Sequence, residues 1–216
     1  MIVAVANTKG GVGKTTVALQ VAISFALAGR SVLMVDGDNQ QSAATAAGVR
    51  AAEGVQPPLE CVACPDGSAL RALVQGRAGA ALDVVIDSGG RDSSGLRAAL
   101  LVADVVLVPF LPRSLDVWAL RAMAALVAEA NSARQGRPLR ALAFLNSADT
   151  SGPDNADAAA CVADAPPLVY LDAPLSRRKA FADAAGAGRC VSELRPLNTK
   201  AAAELAALVA AIEAYR

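Results

Sequence analysis

The chain has 216 residues, 54% of them hydrophobic and only 3% aromatic, with 20 basic side chains balanced by 20 acidic ones and no histidine. This composition excludes a disordered polymer, and the zero net charge removes the simplest argument for nucleic-acid binding. The length suits one domain over residues 1–216 with a core of Val, Leu, Ile and Ala, and no run approaches the roughly 18 apolar residues of a membrane span.

Met1 runs into an apolar segment at 2–6 with no charged leader, which predicts a first strand and a cytoplasmic protein without stable membrane insertion. Behind that strand comes Lys9-Gly10-Gly11-Val12-Gly13-Lys14-Thr15-Thr16, opening a helical pattern over 14–28. Glycines here let the backbone curl so that successive N–H groups point at a polyphosphate. Lys14 adds a mobile positive charge, Thr15 a hydroxyl for Mg²⁺, and the helix dipole its positive end. The general phosphate-loop pattern would place glycine at position 8, where this chain has Thr8, and a second lysine, Lys9, opens the loop instead.

Further strands are predicted at 31–36, 82–87, 104–109, 139–145 and 168–171, all short and nearly continuous apolar runs, as strands covered on both faces should be. Helical patterns lie between them at 68–76, 94–103, 115–131, 154–163 and 177–185, with a last helix over 199–215. The stretch 149–157, rich in Gly, Pro and Asp, reads as a surface loop. In the last helix, Leu205, Leu208, Val209 and Ile212 form one apolar stripe suited to a core. Strand and helix alternate, which predicts a single-domain α/β fold with a mostly parallel sheet and helices on both faces. Ligands of such folds bind at the carboxyl ends of the strands, where the lysine-rich loop, Asp36, Asp38, Asp87 and Asn146 all fall.

Cys61 and Cys64 form a C-x-x-C that suits a redox pair, half a metal site, or simply a short strand ending in a turn before Pro65; without histidine or a second such spacing, the strand is the better reading. Asn146-Ser147-Ala148-Asp149 has the N-x-x-D spacing of a guanine-reading motif but lacks its lysine, and an asparagine contacts adenine equally well. From Arg177 onward the chain carries seven Lys or Arg against four acids.

The lysine-first loop resembles the deviant Walker A motif of the ParA/MinD family of P-loop ATPases. Val32 to Gln40, with Asp36 and Asp38, is similar to the family's second motif, and Leu82 to Gly90, with Asp87, to its Walker B strand. Ala103 to Pro109 resembles the strand that follows, and Arg178 to Ala184 with Gly188 to Glu193 resembles a segment of small partition-type ParA proteins. Asn39 departs from the usual proline, and residues 147–167 have no counterpart in the resemblance.

This resemblance implies Mg²⁺-dependent hydrolysis of ATP. Residues Gly10 to Thr16 and Asn146 would bind the nucleotide, with Lys14 on the phosphates and Asn146 near the base. Thr15 would ligate Mg²⁺, with Asp87 and Asp36 acting on it through water, and Asp38 would position the attacking water. Lys9 would reach the partner's phosphates across a two-fold interface, making the homodimer depend on ATP. Arg177, Arg178, Lys179 and Arg189 would contact DNA without sequence preference. The implied task is partition of a plasmid, chromosome or other cargo with a ParB-like adaptor that stimulates hydrolysis, nucleoid-associated when ATP is bound. No N-terminal helix-turn-helix is expected. A MinD-like membrane-positioning ATPase is the alternative, and an iron–sulfur carrier using Cys61 and Cys64 a more distant one.

Overall fold

The computed structural model describes residues 1–77, 81–136, 138–149 and 154–216, and for 114–118 the backbone only. The strands are β1 (Ile2–Val5), β2 (Ser31–Gly37), β3 (Glu60–Ala63), β4 (Leu82–Ser88), β5 (Val105–Phe110), β6 (Arg140–Ala148), β7 (Val169–Tyr170) and β8 (Leu175–Ser176). They form one sheet in the order β3-β2-β4-β1-β5-β6-β7, with β8 beside the end of β6, and every pairing is parallel. Parallel neighbours need crossovers, and helices supply them: α1 (Lys14–Leu27), α2 (Ser42–Ala52), α3 (Gly67–Arg77), α4 (Ser94–Val102), α5 (Ser114–Ala133) and α6 (Asp154–Ala160), while α7 (Lys179–Gly186) and α8 (Thr199–Glu213) follow the last strand.

Side chains alternate along each strand, so the sheet divides two cores. Ala4, Leu33, Val84, Ile86, Val106 and Val108 face one side, where α3, α4 and α5 pack. Val3, Val5, Met34, Val85, Leu107 and Phe144 face the other, covered by α1, α7 and α8. The stripe of α8 enters this second core as expected: Leu205, Leu208 and Ile212 are no more than 2% exposed, and Val209 packs beside them. Burying each such side chain is worth about 1.5–3 kcal/mol, which accounts for a helix made largely of alanine holding its place.

All six predicted strands and all seven predicted helices are present, with shifted ends. The helix expected over 154–163 changes after Ala160 to a 3-10 turn, Cys161–Asp164. The loop expected at 149–157 falls partly outside the described residues, and from Asp154 it is already helical. Elements not foreseen are α2, the two-residue β8 and a 3-10 turn over Val191–Glu193; β3 fulfils the short strand considered for the cysteine pair. Among the described residues no helix is long and apolar enough to cross a membrane.

Candidate functional site

Strand β1 lies between β4 and β5, so the loop leaving its carboxyl end is flanked by the ends of β4, β2 and β5. Gly11 and Gly13 take φ of 76° and 86°, left-handed values that cost glycine little and strain other residues. Asn7, fully buried, fastens the loop's entrance. Its amide donates to the Pro109 carbonyl at 2.9 Å, and its oxygen accepts from the Lys9 N–H at 3.0 Å. At the loop's far end the Asn146 amide donates to the Val12 carbonyl at 2.7 Å. A Cβ on Gly13 would run into that same Asn146 nitrogen, so a side chain there displaces Asn146 besides straining the left-handed backbone. Asn146 is aimed there by an irregularity between β6 and β8, in which Ser147 takes φ 55°.

Lys14 opens α1 and is 7% exposed; its ammonium donates to the Lys9 carbonyl at 2.9 Å. Burial lowers its pKa, while the Asp87 and Asp38 charges work in the opposite direction. Register sets Asp36 directly beside Asp87 on adjacent strands, and Asp87 beside Val5. The two carboxylates are nevertheless unlike. Asp36 accepts a backbone N–H on each oxygen: the Asp38 N–H at 3.1 Å and the Ala44 N–H, in the first turn of α2, at 2.9 Å. Asp87 is fully buried, and neither of its oxygens has a well-formed hydrogen bond among the described residues. Burial pushes its pKa up to about 7, opposed by the Thr15 hydroxyl and Lys14 and reinforced by Asp36 and Asp38. An orphaned, buried carboxylate beside a threonine hydroxyl fits a cation and its water, which would restore the missing donors and charge.

A cleft of about 800 Å³ opens over the loop, lined by Gly10, Lys14, Thr15, Asp38, Gly90 and Arg91. A second cavity of about 490 Å³ lies on the other flank of Gly13, between Thr16, Asn146, Ser176, Arg177 and Phe181. Together they give room for a triphosphate on one side and a nucleoside on the other. The larger cavity of about 920 Å³ sits at the amino ends of the strands, beside Asp104, Arg140 and Tyr215, and belongs to a different face.

Lys9 to Thr16, Asp36, Asp38, Asp87 and Asn146 therefore gather at one end of the sheet, as the strand ends predict. The four basic residues assigned to DNA do not form one unpaired patch. Arg178 pairs with Glu204 at 2.6 Å, Lys179 with Asp183 at 2.6 Å and Arg189 with Glu53 at 3.1 Å, whereas Arg177 lines the cavity beside Gly13. The cysteine pair does not converge either. Residues three apart on a strand point to opposite faces, and Cys61 packs against one core while Cys64 packs against the other. Burial, then the Asp36 and Asp87 charges, pushes the Cys61 thiol up to about 12, which makes it unreactive. Sequence reasoning missed Asn7; its signal is a polar residue following an apolar strand and preceding the glycine-rich turn.

Residues 3–213 match the family model described as CbiA, the CobQ/CobB/MinD/ParA nucleotide binding domain. The chain belongs to this family. It is 33% identical over 159 residues to the chromosome-partitioning ATPase Soj of Thermus thermophilus, a match covering 62% of this chain and 63% of Soj, so the chain spans less than two thirds of that relative. Its fold is similar to that of apo McdA from Cyanothece, with TM-score 0.82 and 16% identity over 98% of both chains. It is similar also to cobyrinic acid a,c-diamide synthase of Mycobacterium smegmatis, solved with a bound ATP analogue and magnesium: TM-score 0.78, 21% identity, 98% of this chain and 93% of that one. In this CobQ/CobB/MinD/ParA domain the glycine-rich loop thus lies beside the buried Asp87, with Asp36 one strand further out on the same side.

Proposed function

We propose that the protein is a ParA-like ATPase that forms an ATP-dependent homodimer and distributes DNA or another cargo with a ParB-like adaptor. The observation that carries this reading is the loop itself, in which Lys9 and Lys14 share one glycine-rich turn above the orphaned Asp87. Lys14 and the loop N–H groups hold the triphosphate, with Thr15 and Asp87 as the cation site; Mg²⁺ bound there would neutralise charge on the phosphates. Asp36, whose oxygens each accept a backbone N–H, keeps the Asp38 loop in place and acts on the cation at most through water. Asp38 lines the cleft and orients the attacking water. Asn146 braces the loop with its amide and faces the nucleoside cavity, which suits adenine.

Non-specific DNA binding is the finer part of this proposal, and the pairings of the basic residues sort its candidates. Exposed ion pairs are worth only about 0.2–1 kcal/mol, so a phosphate can take Lys179, 86% exposed, from Asp183. Arg189, 35% exposed and paired with Glu53, is the less accessible of the two. Arg178 is held by Glu204 through both Nε and Nη2 and serves the fold, and Arg177 contributes from beside the nucleotide. Two subunits joined by ATP double the available charges, so DNA affinity rises with nucleotide and falls with salt. A membrane anchor is less well supported, because the apolar stripe of α8 is buried in the core.

The deciding experiment compares two variants by nucleotide binding and light scattering. Lys14→Ala abolishes ATP binding, whereas Lys9→Ala binds ATP within a few-fold of wild type and stays monomeric. Equal ATP-driven dimerisation of Lys9→Ala and wild type refutes the cross-subunit role.

A further inference from the structure

Arg91 stands on the loop after β4, in the lining of the cleft over the glycine-rich loop. Its backbone is held on both sides. A Cβ on Gly90 would lie 3.1 Å from the Lys14 ammonium and 3.2 Å from the Gly10 Cα, so the preceding residue is pressed against the phosphate-binding loop. The following residue, Asp92, is pinned by two Arg97 hydrogen bonds of 2.7 and 2.9 Å, and Ser93 then caps α4 through the Leu96 N–H. The acidic neighbour most able to neutralise Arg91 is thereby committed elsewhere. Arg91 itself is exposed, lines the same cleft as Lys14, Thr15 and Asp38, and makes no ion pair among the described residues.

We propose that Arg91 is a catalytic residue of its own subunit, donating to the terminal phosphoryl group of the bound nucleoside triphosphate as that group transfers to water. The proposal rests on the ATPase reading above. Hydrolysis breaks the bond from the terminal phosphorus to the bridging oxygen, whose electron pair leaves with the diphosphate. A water oxygen forms the new bond, and one of its protons passes to an oxygen of the transferred group, which leaves as inorganic phosphate. Charge on the three non-bridging oxygens needs donors that water would otherwise supply. A guanidinium presents its N–H groups as a planar fork matching two such oxygens, and it cannot lose its charge. The held backbone on either side brings that fork to the cleft, while the exposed side chain lets it engage only when the terminal phosphate is present.

The test uses the full chain with MgADP and two phosphate mimics: beryllium fluoride for the ground state, aluminium fluoride for the transferring group. Wild type retains ADP with either. Arg91→Ala should bind MgADP–beryllium fluoride within about 3-fold of wild type, lose aluminium fluoride-dependent retention at least 10-fold, and hydrolyse ATP about 100-fold more slowly at saturation. Arg91→Lys should recover only part of this, since it keeps the charge but not the fork. Unchanged trapping by Arg91→Ala overturns the proposal, and so does an equal loss of both mimics, which would make Arg91 a general phosphate or subunit contact. A wild type that binds neither complex overturns the ATPase reading itself, and this inference with it.

Discussion

Gly13 shows how one residue joins fold and site. Its φ of 86° and the close approach of the Asn146 amide are separate costs of a side chain there, and they can be measured separately. Gly13→Ala should lower stability and weaken nucleotide binding at least 10-fold, because left-handed alanine costs about 1–2 kcal/mol before any clash is counted. Adding Asn146→Ala should restore part of the melting temperature, by removing the clash, but not all of it. Full restoration by the double variant would mean that the backbone conformation carries no cost. The motif was legible in sequence because glycine, lysine and threonine each have a chemical reason for their place. Asn7 was not, since its value lies in two hydrogen bonds, one of them to Pro109 more than a hundred residues away.

Among the elements, α2 and β8 escaped the sequence reading for different reasons. The inner face of α2 consists of Ala43, Ala46, Ala47 and Arg50, so it has no stripe of large apolar residues to detect. Strand β8 has two residues and exists only because the end of β6 offers it a ladder. Arg50 also ties α2 to the chain's last third: 1% exposed, it donates to the Pro57 and Gly188 carbonyls and to both Glu193 oxygens at 2.9 Å. Burial alone would raise the Glu193 pKa, but Arg50 and the Cys190 N–H hold it below the ordinary range. Glu193→Gln leaves a buried guanidinium without its counter-charge and should cost about 3 kcal/mol, read as a lower urea midpoint at unchanged slope. Lys179→Ala, breaking an exposed pair, should stay within about 0.5 kcal/mol of wild type. If the two substitutions cost the same, burial is not what gives the Arg50 pair its weight.

For the whole molecule, the orphaned Asp87 predicts how stability responds to pH. Its folded pKa of about 7 exceeds the ordinary 3.8, so between those values the nucleotide-free native state holds a proton that the unfolded chain has released. The sign follows from linkage: this contribution is complete below pH 3.8 and is lost as pH rises through about 7. Glu193 and Glu204, both held below the ordinary 4.5, act oppositely and lose their contribution as pH falls through their lowered values. Comparing wild type with Asp87→Asn isolates the first effect. The wild-type unfolding free energy should fall relative to the variant's as pH rises from 4 to 7, and parallel pH profiles would count against a protonated Asp87.

The alternating α/β architecture, the glycine-rich loop and the gathering of Asp36, Asp38, Asp87 and Asn146 at one end of the sheet are all legible in the linear chain. Those conclusions need only local periodicity, residue chemistry and the direction of parallel strands. What each group faces depends instead on contacts between segments far apart in the chain. Asp36 and Asp87 both end a strand in an apolar run, yet one accepts a backbone N–H on each oxygen and the other has no well-formed hydrogen bond among the described residues. Arg178, Lys179 and Arg189 read as one basic cluster until Glu204, Asp183 and Glu53 are set beside them. Partners distant in the chain fix desolvation and charge pairing, and a linear pattern records neither.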